Sequence, residues 1–458
     1  MERVKDRSRQ HTAPKVSVGT KQGADTHEQG AAKVDRWSWV EASVWTERMV
    51  SALDNGVKGG KWYSLMDKVG RAPVLLAAWN KVASNKGAAG VDRQSIERFA
   101  AHSEQYLSEL ESALKTGSYQ PQAVRRVEIP KGQGQTRPLG IPTVKDRIVQ
   151  TALKFVIEPI FEAQFLDTSY GFRPGRGCKD ALREVDRLIK EGYTHVVDAD
   201  LQSYKRTQKR TIPHEALMRR VKETVADGAL LGLIEQYLQQ DILFESRSWT
   251  PVGGTPQGAV VSPLLANIYL HPLDQLMSAQ GYAMVRYADD FVILCRSAET
   301  ARDALEIVRC WVDQNGLKLH PDKTHLGDCR NAGEGFEFLG YRFEAGKRAV
   351  RKKSLVSLKD RIVARTRRTS GKSLAAVIAL LNPILKGWFG YFKHAHEWTF
   401  NTLDAQIRRR LRAMLRKQHK RPGRGHCLAD HKHWTNAFFA KAGLFAMHAA
   451  WTEARHPR

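Results

Sequence analysis

Apolar side chains recur along this chain with two different periods, and the switches between them mark its elements. From Trp37 to about Arg93 the spacing is helical, with Val74, Leu75, Ala78 and Trp79 on one face, until the glycine-bearing loop Asn85 to Asp92. Val124, Val127 and Ile129 then alternate as strand residues do, leading into Lys131-Gly-Gln-Gly-Gln-Thr-Arg137-Pro138, whose glycines predict a hairpin tip. Asp146 to Phe165 returns to helical spacing, with Ile148, Leu153, Val156 and Ile160 as its inward stripe. His195 to Leu201 reads as a buried strand ending in acids, and its period of two puts Asp198 and Asp200 on the same face. Ser262-Pro263 opens a helix, Ser as N-cap and Pro at the first helical position, with Leu264, Leu265 and Ile268 inward. Met284 to Cys295 reads as strand, tight turn, strand, and a helix from Ala301 to Asn315 follows. Strand, helix, strand, strand, helix is the order of an α+β layer rather than of a doubly wound sheet. Beyond Gly346 the pattern is helical, with Leu403, Ile407, Leu411, Met414 and Leu415 inward. Residues 1 to about 35 carry almost no bulky apolar side chains and predict a tail that cannot bury enough surface to order itself.

Charge adds a direction to this picture. The 458 residues carry a formal net charge of +25, which points to a polyanionic partner. Residues 346–458 hold 26 Lys and Arg against five Asp and Glu, so +21 lies there and only +4 in the first 345 residues. Nucleic acid is favoured over anionic lipid, because there is no lipidation signal and no run of 18 or more apolar residues is expected to enter a membrane. Cys178, Cys295, Cys310, Cys329 and Cys427 stand singly, and the N-terminus is polar, which predicts a reducing cytoplasm.

The candidate chemistry sits where acids interrupt apolar strands. Asp289 and Asp290 fall at the turn of the Met284–Cys295 hairpin, and neighbouring carboxylates between core strands resist desolvation unless a cation neutralises them. Taken alone the pair also fits a solvated turn, so the strand-end Asp200 is the acid that makes a metal site of it. Ligands that are all oxygen suit Mg²⁺, which keeps several waters and is usually shared with substrate phosphates. The Gly253-Gly254-Thr255-Pro256-Gln257-Gly258 loop lets a ligand approach the backbone closely. Arg408, Arg409, Arg412, Arg416 and Lys417 adjoin Trp388, Phe389, Tyr391, Phe392 and Trp398, and cations interleaved with aromatics suit RNA loops and phosphates. His426, Cys427, His431 and His433 lack the paired spacing of a zinc site.

Taken in order, the blocks Gly87-Ala-Ala-Gly-Val-Asp92, Ile129-Pro-Lys with Arg137-Pro-Leu-Gly-Ile-Pro142, Tyr170-Gly-Phe-Arg-Pro174, Thr255-Pro-Gln-Gly258 with Ser262-Pro-Leu-Leu-Ala-Asn267, Tyr287-Ala-Asp-Asp290 and Phe338-Leu-Gly-Tyr341 resemble the bacterial group II intron reverse transcriptase/maturase family. The resemblance spans roughly residues 61–455. It implies a right-hand polymerase: an N-terminal extension (1–60), fingers (61–190), a palm (191–345) and a basic helical thumb or maturase region (346–458). It further implies that Asp200 and Asp289 hold two Mg²⁺ ions, with Asp290 and the Leu201 carbonyl assisting. Lys131 and Arg137, which alone would read as a solvated turn, correspond to the family's triphosphate-binding pair. Gln257 corresponds to the residue beneath the incoming sugar, Lys323 to a proton donor for pyrophosphate, and Arg173 joins the basic helical residues as an RNA contact. The implied partners are group II intron RNA, an RNA template with a DNA primer, deoxynucleoside triphosphates and a DNA target. No Cys/His-rich endonuclease module follows residue 346, which argues against mobility by cutting that target. One block departs from the pattern: after Asp200 the family carries an aromatic and a second Asp, where this chain has Lys205-Arg-Thr-Gln-Lys-Arg210. That departure keeps a second reading open, a splicing-only or host-adapted RNA-binding protein with an impaired polymerase site; a bacterial defence reverse transcriptase is a third, which genomic neighbourhood would separate.

Overall fold

Helices and strands form where the two periods place them, and the computed structural model describes residues 36–132, 135–201, 212–244, 247–249, 258–423, 425 and 427–455. Val40–Arg458 cluster as one unit and Met1–Trp39 as another. The expected tail at 1–35, the loop around Gln257 and the segment 205–210 lie outside the described residues. The first part of the chain forms α1 (Glu47–Asn55), α2 (Met66–Val69), α3 (Ala72–Asn85), α4 (Ile96–Ala100), α5 (Ser103–Thr116), β1 (Val124–Gly132), β2 (Gln135–Ile141), α6 (Val144–Glu162) and α7 (Cys178–Lys190). The middle contributes β3 (His195–Asp200), α8 (His214–Thr224), α9 (Gly228–Leu238), β4 (Ile242–Phe244), β5 (Arg247–Trp249), α10 (Ser262–Ala279), β6 (Ala283–Tyr287), β7 (Asp290–Cys295) and α11 (Ala298–Gln314). After these come β8 (His325–Asp328), β9 (Phe336–Phe338), β10 (Tyr341–Glu344), β11 (Lys347–Val350), α12 (Lys352–Arg365), α13 (Leu374–Phe392), α14 (Glu397–Gln418), α15 (Leu428–His433), α16 (Asn436–Lys441) and α17 (Met447–Arg455).

The strands make three sheets, ordered β2-β1-β4-β5, β6-β7-β3-β8 and β11-β10-β9. The second is antiparallel throughout, and its register sets Asp200 of β3 directly opposite Asp290 of β7. Period two makes this sheet legible, since Val196, Val285, Val292 and Leu294 turn to the core. The same core runs without a break through Phe336, Phe338 and Tyr341 into Leu381, Phe389, Leu403 and Leu411, tying the sheet to the C-terminal helices. Helix α6 departs from its amphipathic reading: Ile148, Leu153 and Val156 are buried as expected, but so are Gln150 and Glu158, because α2, α3 and α10 all pack around it. Ser262 stands one residue inside α10, Val261 being the N-cap with no side-chain hydrogen bond.

Two tight approaches hold the first sheet in place. A Cβ on Gly90 would lie 2.7 Å from Thr143 Cα, while Arg125 Nη2 and Arg147 Nη2 bind the neighbouring Ala89 and Ala88 carbonyls at 2.6 and 2.8 Å. Gly258, at φ +109°, packs on the Gly140 carbonyl of β2, where a Cβ would come within 2.2 Å.

Helix α13 is 19 residues long, with a mean hydropathy of 1.4 over 18 residues, long and apolar enough by length and composition alone to cross a membrane. One face of it packs into the core through Val377, Ile378, Leu381, Leu385 and Phe389, and its Asn382 binds Gly443 O and Phe445 N at 2.8 and 2.9 Å. Asn, Pro, Lys and Gly interrupt its apolar letters, which is why the sequence shows no unbroken run.

Candidate active site and C-terminal nucleic-acid face

The Asp289–Asp290 turn is built from the side chains beneath it. Arg286, the last buried residue of β6, has 0% side-chain exposure and forms a bidentate pair with Asp274 of α10, at 2.7 Å from Nε and 2.5 Å from Nη2. Its Nη1 donates to Asn267 Oδ1 at 3.0 Å and to the Ala288 carbonyl at 2.9 Å. Asn267 in turn donates to Gly171 O at 2.8 Å, and Tyr170 N binds Arg286 O at 2.8 Å. Ala288 takes a positive φ of +59°, and a Cβ on Gly171 would lie 2.4 Å from its nitrogen, so the Tyr170–Pro174 loop and the turn fit together only through glycine. Asp289 and Asp290 are thereby presented beside Asp200.

Electrostatics at this edge are dominated by like charge. Burial pushes the Asp290 carboxyl up to about 7, the Asp198, Asp200 and Asp289 carboxylates add to the shift, and Arg351 opposes it. Burial likewise lifts Asp198 to about 6 against the pull of His325, whose Nε2 lies 3.8 Å from its Oδ2. The Lys323 ammonium is paired with the Asp200 carboxylate, and His320 N binds the Asp200 carbonyl at 2.8 Å. Among the described residues no three His, Cys, Asp or Glu side chains converge closely enough to enclose an ion by themselves. The donors here are all oxygen at one sheet edge, the Asp290 carboxyl is raised by burial and then by its neighbours, and a cation is already drawn to Asp200, a chemistry that fits a hard divalent cation.

The other expected residues separate into those at solvent and those taken up inside. Arg137 is exposed on β2, opposite Ile129. Lys131 lies at the register shift between Pro130 and Gly132, and its side chain, like all of Gln257, is outside the described residues. Leu201 bridges Leu319 just past β3. Arg173, expected as an RNA contact, does not face solvent: it is buried, with Nη2 and Nε on Glu162 at 2.7 and 2.9 Å and Nη1 on the Ser169 carbonyl at 2.7 Å. Arg412 is also internal, donating to Trp434 O at 2.9 Å and Asn436 Oδ1 at 3.3 Å, and Arg416 is paired with Asp430 at 2.6 Å. Arg409 and Lys417 are exposed and Arg408 half-buried. Of the aromatics, Phe389 and Phe392 are buried and Trp388 and Tyr391 pack against the same core, whereas Trp398 is 71% exposed.

Several neighbours of the turn stand in the quoted sequence blocks, but their contacts with one another carry no sequence signal. Phe172, at φ +57° and 55% exposed, stands with its ring centroid 6.0 Å from that of Tyr287. Tyr287 and Tyr391 both meet the Cys178 thiol at the start of α7, and burial together with that contact pushes the Tyr287 phenol up to about 12. Leu339 and Gly340 form a positive-φ turn whose Leu339 carbonyl accepts from Tyr391 Oη at 2.8 Å, while Tyr341 Oη donates to Tyr391 O at 2.7 Å. Asp200 and Asp290 on opposed strands, with Asp289 in the adjoining turn, thus share one core with a basic helical region. Residues 129–343 match the reverse transcriptase (RNA-dependent DNA polymerase) family, and residues 355–434 match the group II intron maturase-specific domain. The chain is 32% identical to protein YkfC of Escherichia coli over 339 residues, covering 65% of this chain and 85% of that one. It is 36% identical over 210 residues to the group II intron-encoded protein LtrA of Lactococcus lactis, covering 45% of this chain and 34% of that one. A partial Cas6-RT-Cas1–Cas2 complex aligns at 23% identity over 55% of this chain and 42% of that one, with a TM-score of 0.34. The chain belongs to the group II intron reverse transcriptase/maturase family, with an RNA-directed DNA polymerase domain and a maturase domain in one polypeptide.

Proposed function

We propose that this chain copies RNA into DNA at the Asp200, Asp289 and Asp290 edge and assists splicing of a group II intron RNA through its C-terminal helices. The observation that carries the reading is the register of β3 against β7, which brings Asp200 opposite Asp290 with Asp289 in the adjoining turn. Asp200 and Asp289 would hold Mg²⁺, with Asp290 and the Leu201 carbonyl beside them. The ion, when bound there, would supply activation of the primer hydroxyl and charge neutralisation of the leaving pyrophosphate. The chain's own residues do the rest. Arg286, Asp274 and Asn267 fix the turn so that its acids need no rearrangement. Lys323, paired with Asp200 in the free protein, would give a proton to pyrophosphate. Lys131 and Arg137, on the hairpin of residues 124–141, take the triphosphate, with Gln257 under the sugar. In this division 61–190 act as fingers, 191–345 as palm and 346–458 as thumb. Substrates are deoxynucleoside triphosphates on an RNA template with a DNA primer, and the working compartment is the cytoplasm. The test is two-part: primer extension on RNA, and splicing of a precursor containing the cognate intron at low magnesium. Neither product from correctly folded protein would overturn the reading.

A further inference from the structure

We propose that the outer face of α14 seats unpaired nucleotides of RNA, with Trp398 as a stacking platform and the adjoining groove as a reader of base edges. This rests on the reading that the C-terminal helices dock RNA, and it narrows what they recognise. With 3.6 residues per turn, positions 398, 402, 405, 409 and 412 fall in one stripe along α14. The stripe opens on Trp398, an indole 71% exposed, which the core has left out while taking in its neighbours Phe389, Phe392 and Phe400. Further along lies a groove of about 700 Å³, floored by Asn401, Gln406, Arg408 and Arg409 and walled by His431 of α15 and Asn436 of α16. Arg412 lends its charge to that wall: it reaches Trp434 O and Asn436 Oδ1 and lies 5.5 Å over the Phe439 ring, holding Asn436 in place.

The chemistry of this face selects among polyanions. Guanidinium groups such as Arg408 and Arg409 hold phosphates of any sequence or shape. The amides of Asn401 and Gln406 offer both donors and acceptors, and Asn436, its Oδ1 held by Arg412, offers its NH₂, together the complement of an exposed Watson–Crick edge. A-form duplex uses those edges in base pairing and offers no free base face to an indole, whereas loops and bulges present both. From Trp398 to Arg409 the helix runs roughly 16 Å at about 1.5 Å per residue, room for a short run of splayed nucleotides.

The experiment compares the full chain with Trp398→Ala, Trp398→Phe and the double variant Arg408→Gln/Arg409→Gln. Each is titrated with an RNA hairpin bearing an unpaired loop and with a blunt RNA duplex of equal phosphate count. Trp398→Ala is expected to weaken hairpin binding by about 5- to 150-fold, the range of one base–aromatic stack, and to leave duplex binding unchanged. Trp398→Phe recovers most of the loss, and the arginine double variant weakens both RNAs. If the arginine variant weakens both but Trp398→Ala leaves the hairpin-to-duplex ratio as it was, the face takes phosphate or an acidic peptide and the proposal is overturned alone. If the arginine variant weakens neither, the C-terminal docking reading itself fails.

Discussion

Arg286 and Asp274 form a bidentate ion pair with both side chains at 0% exposure, and the same guanidinium holds the Ala288 carbonyl 2.9 Å away, one residue before Asp289. Removing one member of such a pair leaves the other charged and unpaired in the core. Arg286→Met is expected to lower the unfolding free energy by about 3–5 kcal/mol in urea denaturation. Arg286→Lys keeps a charge but cannot reach Asp274, Asn267 and Ala288 together, so DNA synthesis should fall further than stability. Equal, small losses in both would show that Arg286 does not position the turn.

The basic residues should divide by exposure. Arg409→Gln and Lys417→Gln remove outward cations and should each flatten the dependence of log K on log salt by about 0.7–0.9 for every phosphate left without its cation. Arg173→Gln should leave that slope alone and lower thermal stability, since its guanidinium is committed to Glu162 and to backbone carbonyls. A flattened slope for Arg173→Gln would return it to the RNA surface.

Asp146 gives a pH signature. It is buried at the start of α6, where it accepts from Tyr119 Oη at 2.5 Å, and burial pushes its carboxyl above the ordinary range. A raised folded value means that its contribution is fully present below the unfolded value of about 3.9 and is lost as pH rises through the folded one. Asp146→Asn has no such loss, so its stability relative to wild type should improve as pH is raised from acid to neutral. Urea midpoints at several pH values measure this, and a constant gap would contradict it.

The resemblance implies an aromatic and an acid beside the nucleotide sugar, where this chain has Lys205–Arg210. Lys and Arg cannot supply a flat apolar wall against a 2′ hydroxyl. Exchanging Lys205–Arg210 for Phe-Asp should therefore raise the extension rate and the preference for deoxynucleotides over ribonucleotides, assayed in parallel. No change in either would make the native segment harmless.

Much of the central sheet is legible in the sequence because its strands carry period-two apolar residues and its acids sit at strand ends, where Asp200 and Asp289 stand. What escapes is mostly tertiary. Arg286 in a strand reads as a solvent position until Asp274, 12 residues earlier on α10, is seen beneath it. Lys323 meets Asp200 across 123 residues. Phe389 and Phe392 look like part of an RNA-facing aromatic cluster, yet their spacing of three is also that of a helix face, and burial wins. Arg173 and Arg412 read as surface charge because sequence shows a cation but not the carboxylate or carbonyl that will enclose it.

The most direct measurement is cDNA synthesis from an RNA template by the purified chain beside Asp200→Ala and Asp289→Ala, with RNA affinity measured on the same preparations. Product is expected from the unmodified chain and none from either variant, with nearly unchanged RNA binding by all three, because the acids and the C-terminal helices are separate sites. Undiminished cDNA from either variant would contradict the assignment of these acids to catalysis.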